Sequence, residues 1–251
     1  MTVSSCTSAS ETMTAVAEST LEISRPAGVR RDRRGRLLRG YLHKSSNSLC
    51  GIKGYASLIA GGPQTAGRTS AWARKIIAEV ERLENIYNSV QDMAFPEPTP
   101  GIERVDLALV IADALNAAAR RHENLRVGPM PRMNGELLLP AGDLRQVLDA
   151  ILDNSAQSQP DPVEVTLALN ASDQHLALAV EDDGPGMAPE LLTQVIDPFI
   201  TTRPGRLGIG LSRVDTIMDM HGLGWGLRSV PQVGTTVTLD IARYRNAGDR
   251  R

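Results

Sequence analysis

Asp182-Asp183-Gly184-Pro185-Gly186 follows a run of alternating aliphatic residues that reads as a strand. A carboxylate delivered by a strand end can accept a hydrogen bond from an exocyclic amine such as that of adenine. Glycines at alternate positions leave no Cβ between the backbone and a flat ligand. An Asp-Gly turn is also a common connector, so this segment alone leaves a plain turn as open as a ligand site.

Gly205-Arg206-Leu207-Gly208-Ile209-Gly210-Leu211 ends a loop and opens a helix. Free N–H groups at a helix start bind phosphate, and small residues let it come close. The glycine order is not G-x-G-x-x-G and no βαβ unit precedes it, which argues against a dinucleotide fold; no Gly-Lys-Ser/Thr occurs, so it is not a Walker loop. Asn154, in Leu148-Asp149-Ala150-Ile151-Leu152-Asp153-Asn154, lies off the apolar face of its helix. Its amide oxygen is a hard ligand that suits Mg²⁺, with phosphates and waters completing the octahedron. An asparagine near a helix C-terminus is the plainer alternative.

The elements that must position these groups follow from periodicity. Leu38, Leu42, Leu49, Ile52, Ala56 and Ile59 recur at helical steps over about 30–60, and Gly61-Gly62-Pro63 breaks the run. A second helix over about 66–93 carries a seam of Ile76, Val80, Leu83, Tyr87 and Val90 at heptad spacing. Two long helices with a short turn form an antiparallel hairpin, which cannot bury both of its apolar faces alone; pairing two hairpins into a four-helix bundle predicts a homodimer. The proline-rich run 95–102 is a linker, since prolines cannot continue a helix. Beyond it, helices are expected at 106–120, 142–157, 188–196 and 209–221, and strands at 163–169, 175–181, 224–230 and 234–241. That order predicts an α+β sandwich with a mixed sheet. The expected domains are a disordered tail (1–29), a helical hairpin (30–94), the linker (95–102), the α+β domain (103–245) and a short tail (246–251). The basic run from Arg30 to Arg39 reads as a solvated helix start or as a contact for an acidic partner.

Composition narrows the function classes. The 251 residues suit one large domain or two small ones. A formal net charge of -2 gives no reason to expect nucleic acid or an anionic membrane as partner. No apolar run approaches the roughly 18–20 residues of a membrane span, and no signal peptide is evident. The only cysteines are Cys6 and Cys50, which suggests a reducing, cytoplasmic setting. Cys50 reads as inert packing or, as the sharper alternative, a redox switch across the dimer.

Taken together and in order, Asn154, Asp182 with Gly184 and Gly186, Asp197 to Arg203, and Gly208 to Leu211 resemble the ATP-binding domain of bacterial histidine kinases, within the wider group that includes gyrase, Hsp90 and MutL (the Bergerat, or GHKL, fold). Asn154 matches the N-box, Asp182 to Gly186 the first glycine box, Asp197 to Arg203 the F-box and Gly208 to Leu211 the second glycine box. The resemblance implies ATP and Mg²⁺ as cofactors, with Asn154 on the metal and Asp182, Gly184, Gly186, Gly208 and Gly210 around the nucleotide. It implies an ATP lid at about 198–208, with Arg203 where the family often has a phosphate-contacting lysine. His43-Lys44-Ser45-Ser46-Asn47-Ser48-Leu49 resembles the family's H-box, which makes His43 the expected phosphoacceptor. A response-regulator aspartate is then the expected recipient, and a separate sensor protein a possible source of input.

Two positions depart from the family pattern. Lys44 stands where a carboxylate usually orients the histidine and takes its proton, a task a cation cannot perform. Ser48 replaces the usual proline. The alternatives are slow autophosphorylation or service by another carboxylate. Asn47, one turn beyond His43, matches a polar residue that positions water for dephosphorylating the regulator in related kinases, so a phosphatase bias is a further expectation. Rival readings are a hydrolytic ATPase of the wider group, disfavoured by Ala150 where such enzymes place a water-activating glutamate; an anti-sigma serine kinase, which lacks the hairpin; and a phosphotransfer scaffold. His122, His175 and His221 show no metal spacing and receive no chemistry.

Overall fold

The computed structural model describes residues 21–26, 33–61, 66–94, 101–130, 136–171, 176–203 and 206–242. The chain separates into two compact units, one drawn from Met1–Val29, Thr99–Ile196 and Arg213–Arg251, the other from Arg30–Pro98 and Asp197–Ser212.

In the first unit, alternation of buried and exposed residues builds a six-stranded mixed sheet in the order β1-β7-β8-β6-β5-β3. Its strands are β1 (Leu21–Arg25), β3 (Leu125–Val127), β5 (Val163–Ala171), β6 (Leu176–Asp182), β7 (Trp225–Val230) and β8 (Gly234–Asp240). Only β3 and β5 run parallel. The short strands β2 (Glu103–Asp106) and β4 (Glu136–Leu139) form a separate antiparallel pair. Helix α3 (Leu107–Arg121) buries Leu107, Ile111, Ala114, Leu115 and Ala118, a stripe at helical spacing. Asp106 caps it by accepting a hydrogen bond from the Ala108 N–H at 2.9 Å. Helix α4 (Ala141–Ala156) packs on α3 and buries Val147, Leu148, Ile151 and Leu152. Arg121 ties the two together through Asp149 and Asp153, each at 2.9 Å. Helix α6 (Gly210–Met220) starts in the segment belonging to the second unit and ends in the first.

The helices and strands expected beyond the linker are present, with three corrections. Residues 21–25, expected within a disordered tail, form β1 and pair with β7. The expected helix at 188–196 is only α5 (Pro189–Leu192). Thr193 turns its hydroxyl back onto the Glu190 carbonyl at 2.9 Å, and Asp197-Pro198 disfavours helical backbone just beyond. Strands β2, β3 and β4 escaped notice because they span only three or four residues and show little alternation.

In the second unit, α1 (Arg33–Ala60) and α2 (Ala66–Ala94) pack on each other as a hairpin. The expected seam is buried only in part within one chain. Val80 and Tyr87 are exposed, Ile76, Leu83 and Val90 are half-buried, and Ile86 is 0% exposed. Ile86 meets Leu37 and Phe199, with Tyr41, Val90, Leu207 and Ile209 around them. The core of this unit therefore needs the segment 197–209 as well as the two helices. Arg36 Nε lies 3.0 Å from the Asp197 carboxylate, which fixes the start of that segment. Leu38, Leu42, Leu49, Leu58, Ile77, Val80 and Tyr87 remain exposed. The turn at 62–65, linker residues 95–100, tail residues 1–20 and 243–251, Cys6 and His175 lie outside the described residues. Among the described residues no helix is long and apolar enough to cross a membrane.

Candidate functional site

Helix α4 and strand β6 converge on one carboxylate. Ser155, in the last turn of α4, donates its hydroxyl to Asp182 Oδ2 at 2.6 Å. The main-chain N–H groups of Gly184 and Thr235 donate to Oδ1 at 3.1 and 3.2 Å. Helix, strand end and the start of β8 thus hold the side chain from three directions. Burial raises the Asp182 pKa above the ordinary carboxylate value; the hydrogen bonds from Ser155, Gly184 and Thr235 oppose that rise, and the Asp183 charge adds to it.

The adjacent aspartate is spent differently. Asp183 Oδ1 accepts the Glu164 N–H at 2.7 Å, which pins the loop to β5. Of the pair, Asp182 is the one anchored to α4 and β8, and Asp183 is the brace.

Gly184 is buried, and a Cβ there would come within 2.7 Å of Ser158 Oγ and 2.9 Å of Asp182 Oδ1. Gly186 has φ +63, and any Cβ would run into the Val230 carbonyl; Gly208 has φ +72 and faces the Ile200 carbonyl in the same way. These two glycines are required by backbone conformation and packing, a reason distinct from close approach to a ligand. Phe199 also has positive φ, at 69°, and donates its N–H to the Gly208 carbonyl at 2.8 Å. An αL phenylalanine is costly, and burial of its ring against Leu37 and Ile86 offsets that cost.

Asn154 is half-buried on α4, directly before Ser155. The structure therefore brings Asn154, Asp182, Gly184 and Gly186 together in the first unit. Arg203, Gly208 and Gly210 belong to the segment 197–212 of the second unit. There the Arg203 N–H donates to Thr201 Oγ1 at 3.1 Å, and Gly210 is the first residue of α6. His43 and Asn47 are both exposed on α1, one turn apart; Lys44 is half-buried, Ser48 is buried and Cys50 is exposed.

Two histidines serve as braces. His221 Nε2 lies 2.7 Å from Asp143, linking the end of α6 to the first turn of α4. His122 Nε2 lies 2.8 Å from Asp153. Among the described residues no group of three or more His, Cys, Asp and Glu side chains could hold a metal ion. The donor chemistry at Asn154 still fits Mg²⁺, because this ion keeps waters and phosphate oxygens for most of its shell. Ser155 was missed by sequence reasoning, although a hydroxyl beside Asn154 was a visible signal. Thr235 acts through its main-chain N–H, which has no side-chain signature in the sequence.

Residues 141–245 match the family described as histidine kinase-, DNA gyrase B- and HSP90-like ATPases. Sporulation kinase E of Bacillus subtilis (strain 168) is 26% identical over 225 residues, covering 86% of this chain and 30% of the relative. Sensor histidine kinase ZraS of Salmonella typhi is 25% identical over 209 residues, covering 82% of this chain and 45% of the relative. The chain thus spans less than half the length of these relatives. Among solved structures, Acinetobacter baumannii histidine kinase AdeS aligns with a TM-score of 0.56 at 19% identity, covering 81% of this chain and 98% of that one, which supports the fold. Residues 141–245 thus form a domain of the histidine kinase-, DNA gyrase B- and HSP90-like ATPase type, and the chain, with its helical hairpin, is similar to two-component histidine kinases.

Proposed function

We propose that the protein binds ATP–Mg²⁺ in its α+β domain and transfers the γ-phosphoryl group to His43, from which it passes to an aspartate of a response regulator. The observation that carries this reading is the Asp182 carboxylate, anchored by Ser155, Gly184 and Thr235. A carboxylate fixed by three donors keeps acceptor capacity for one further donor, such as an adenine amine, in an unchanging direction. Gly184 and Gly186 keep the loop beside it free of Cβ atoms. Asn154 would hold Mg²⁺, whose charge offsets that of the transferring phosphoryl group. Gly208 and Gly210 at the start of α6 would offer main-chain N–H groups to the phosphates, with Arg203 as a further cation.

His43 stands exposed on α1, which suits an imidazole nitrogen attacking phosphorus and later meeting a receiver domain. The exposed apolar face of the hairpin suits a second copy of the chain. Tyr41, Ser45, Leu49, Leu83, Glu84, Tyr87 and Asn88 line a cleft of about 570 Å³ there, and the exposed Leu42 precedes Leu49 by one heptad. A homodimer with a four-helix bundle is the arrangement proposed. A cytoplasmic setting and a separate input protein belong to the same reading.

A phosphatase bias is favoured by one specific arrangement. Asn47 is exposed one turn from His43, while the position after the histidine carries Lys44 rather than a base. Calorimetric titration with ATP, with and without Mg²⁺, tests the nucleotide half. Micromolar binding that is lost in Asp182→Ala and loses its Mg²⁺ dependence in Asn154→Ala supports the reading; unchanged binding in Asp182→Ala contradicts it.

A further inference from the structure

Strand β1 reaches the ATP-binding unit from an unusual point in the chain. It precedes the hairpin, yet Leu21–Arg25 pairs antiparallel with Trp225–Val230 of β7 in the register Leu21↔Ser229 to Arg25↔Trp225. The chain then leaves for α1 and α2 and returns at β2. The sheet's unit is therefore joined to the hairpin's by 26–32 ahead of α1, by the linker after α2 and by the two ends of 197–212. The first connection holds only while β1 stays paired.

The hold on β1 is light. Glu22 and Ser24 are exposed, and Ile23 and Arg25 are only half-buried. Arg25 Nε is buried without a hydrogen-bond partner, which weakens the association. A short edge strand held mainly by its main-chain ladder opens far more readily than the sheet beneath it. That sheet does not depend on β1: β7 pairs with β8 along Trp225–Val230, and Trp225, Leu227 and Ser229 are buried. Removing β1 would leave β7 in place with one edge of unpaired N–H and C=O groups, a surface that accepts an extended peptide by strand addition.

We propose that the β7 edge is a strand-docking site whose occupant is this chain's own Leu21–Arg25, and that the docked strand is a releasable clasp that restrains transfer to His43. With β1 paired, 26–32 is a tether additional to the linker after α2 and the two ends of 197–212; with β1 released, that tether is lost. The restraining role rests on the proposed phosphoryl transfer, whereas the docking itself does not.

The test uses the full chain and the double variant Ile23→Pro/Ser24→Pro, with Ile23→Val as control. Of two consecutive strand residues one N–H faces the neighbouring strand, so prolines at both positions remove a ladder donor whichever it is. Hydrogen exchange is read at 225–230 and at 234–240, and the initial rate of His43 phosphorylation is read from labelled ATP. The expected result is exchange at least tenfold faster in part of 225–230, unchanged exchange at 234–240, and phosphorylation at least threefold faster, with Ile23→Val like wild type. Unchanged exchange at 225–230 overturns the docking. Faster exchange with an unchanged phosphorylation rate overturns the restraint. No label on His43 in either protein overturns the acceptor reading and the restraint with it, while the exchange result still decides the docking.

Discussion

Ser155 donates to Asp182 across 2.6 Å, and through that bond the helix that carries Asn154 is coupled to the strand that carries the candidate adenine acceptor. Ser155→Ala removes one of three donors and leaves the half-buried Asp182 with less compensation. A hydrogen bond to a charged group contributes about 1.5–3 kcal/mol, so chemical denaturation should show a loss of that order. ATP affinity should fall with it. A variant as stable as wild type with unchanged affinity would show that the bond positions nothing.

The raised Asp182 pKa has a defined pH signature. The folded state holds this proton at a pH where the unfolded chain has released it, so the contribution to stability is complete below the ordinary carboxyl value of 3.8. It declines as pH rises from there through the raised folded value, then levels off. Asp182→Asn lacks this proton. Wild type should therefore lose stability relative to Asp182→Asn across that window, with a slope of at most about 1.4 kcal/mol per pH unit. A difference that is flat with pH would contradict the assignment.

Gly40 and Phe199 are matched by shape. A Cβ at Gly40 would overlap the Phe199 ring and lie 3.1 Å from the Pro198 carbonyl. Alanine favours a helix interior by about 1 kcal/mol over glycine, yet the ring is only 4% exposed and has nowhere to retreat. Gly40→Ala should be destabilising by about 1–3 kcal/mol, as for other overpacked cores. Exchange should accelerate at 197–209. A stabilised protein with unchanged exchange there would show that the segment is not anchored by this contact.

The exposed face of the hairpin predicts association. Leu42→Glu/Leu49→Glu should convert a dimer to a monomer in sedimentation equilibrium without loss of ATP binding. An unchanged mass would place the dimer contact elsewhere or deny it.

Lys44→Glu restores a carboxylate beside His43. Positioned acid–base groups contribute typically 10²–10⁴-fold, so the initial rate of autophosphorylation should rise by at least about tenfold. Comparable rates would show that Lys44 does not limit the kinase.

Much of this was legible because periodicity and glycine spacing are local signals. The 3.6-residue repeats of α1 and α2 and the alternation in β5, β6 and β8 appear in the sequence directly. Asp182 was identifiable from its place between a strand and Gly184. What escaped depends on distance along the chain. β1 pairs with a strand some two hundred residues later, and nothing in Leu21–Arg25 itself names that partner. Ile86 is buried through Phe199, a residue from another segment, so the heptad count in α2 alone does not reveal it. The role of Thr235 lies in a main-chain N–H that every residue except proline carries.

ATP held at Asp182 and Asn154 is proposed to phosphorylate His43. The most direct measurement is incubation of wild type, His43→Gln and Asn154→Ala with γ-labelled ATP and Mg²⁺, followed by acid and base treatment of the protein. Wild type should carry acid-labile, base-stable label, and neither variant should carry any. Label that persists in His43→Gln would contradict that transfer.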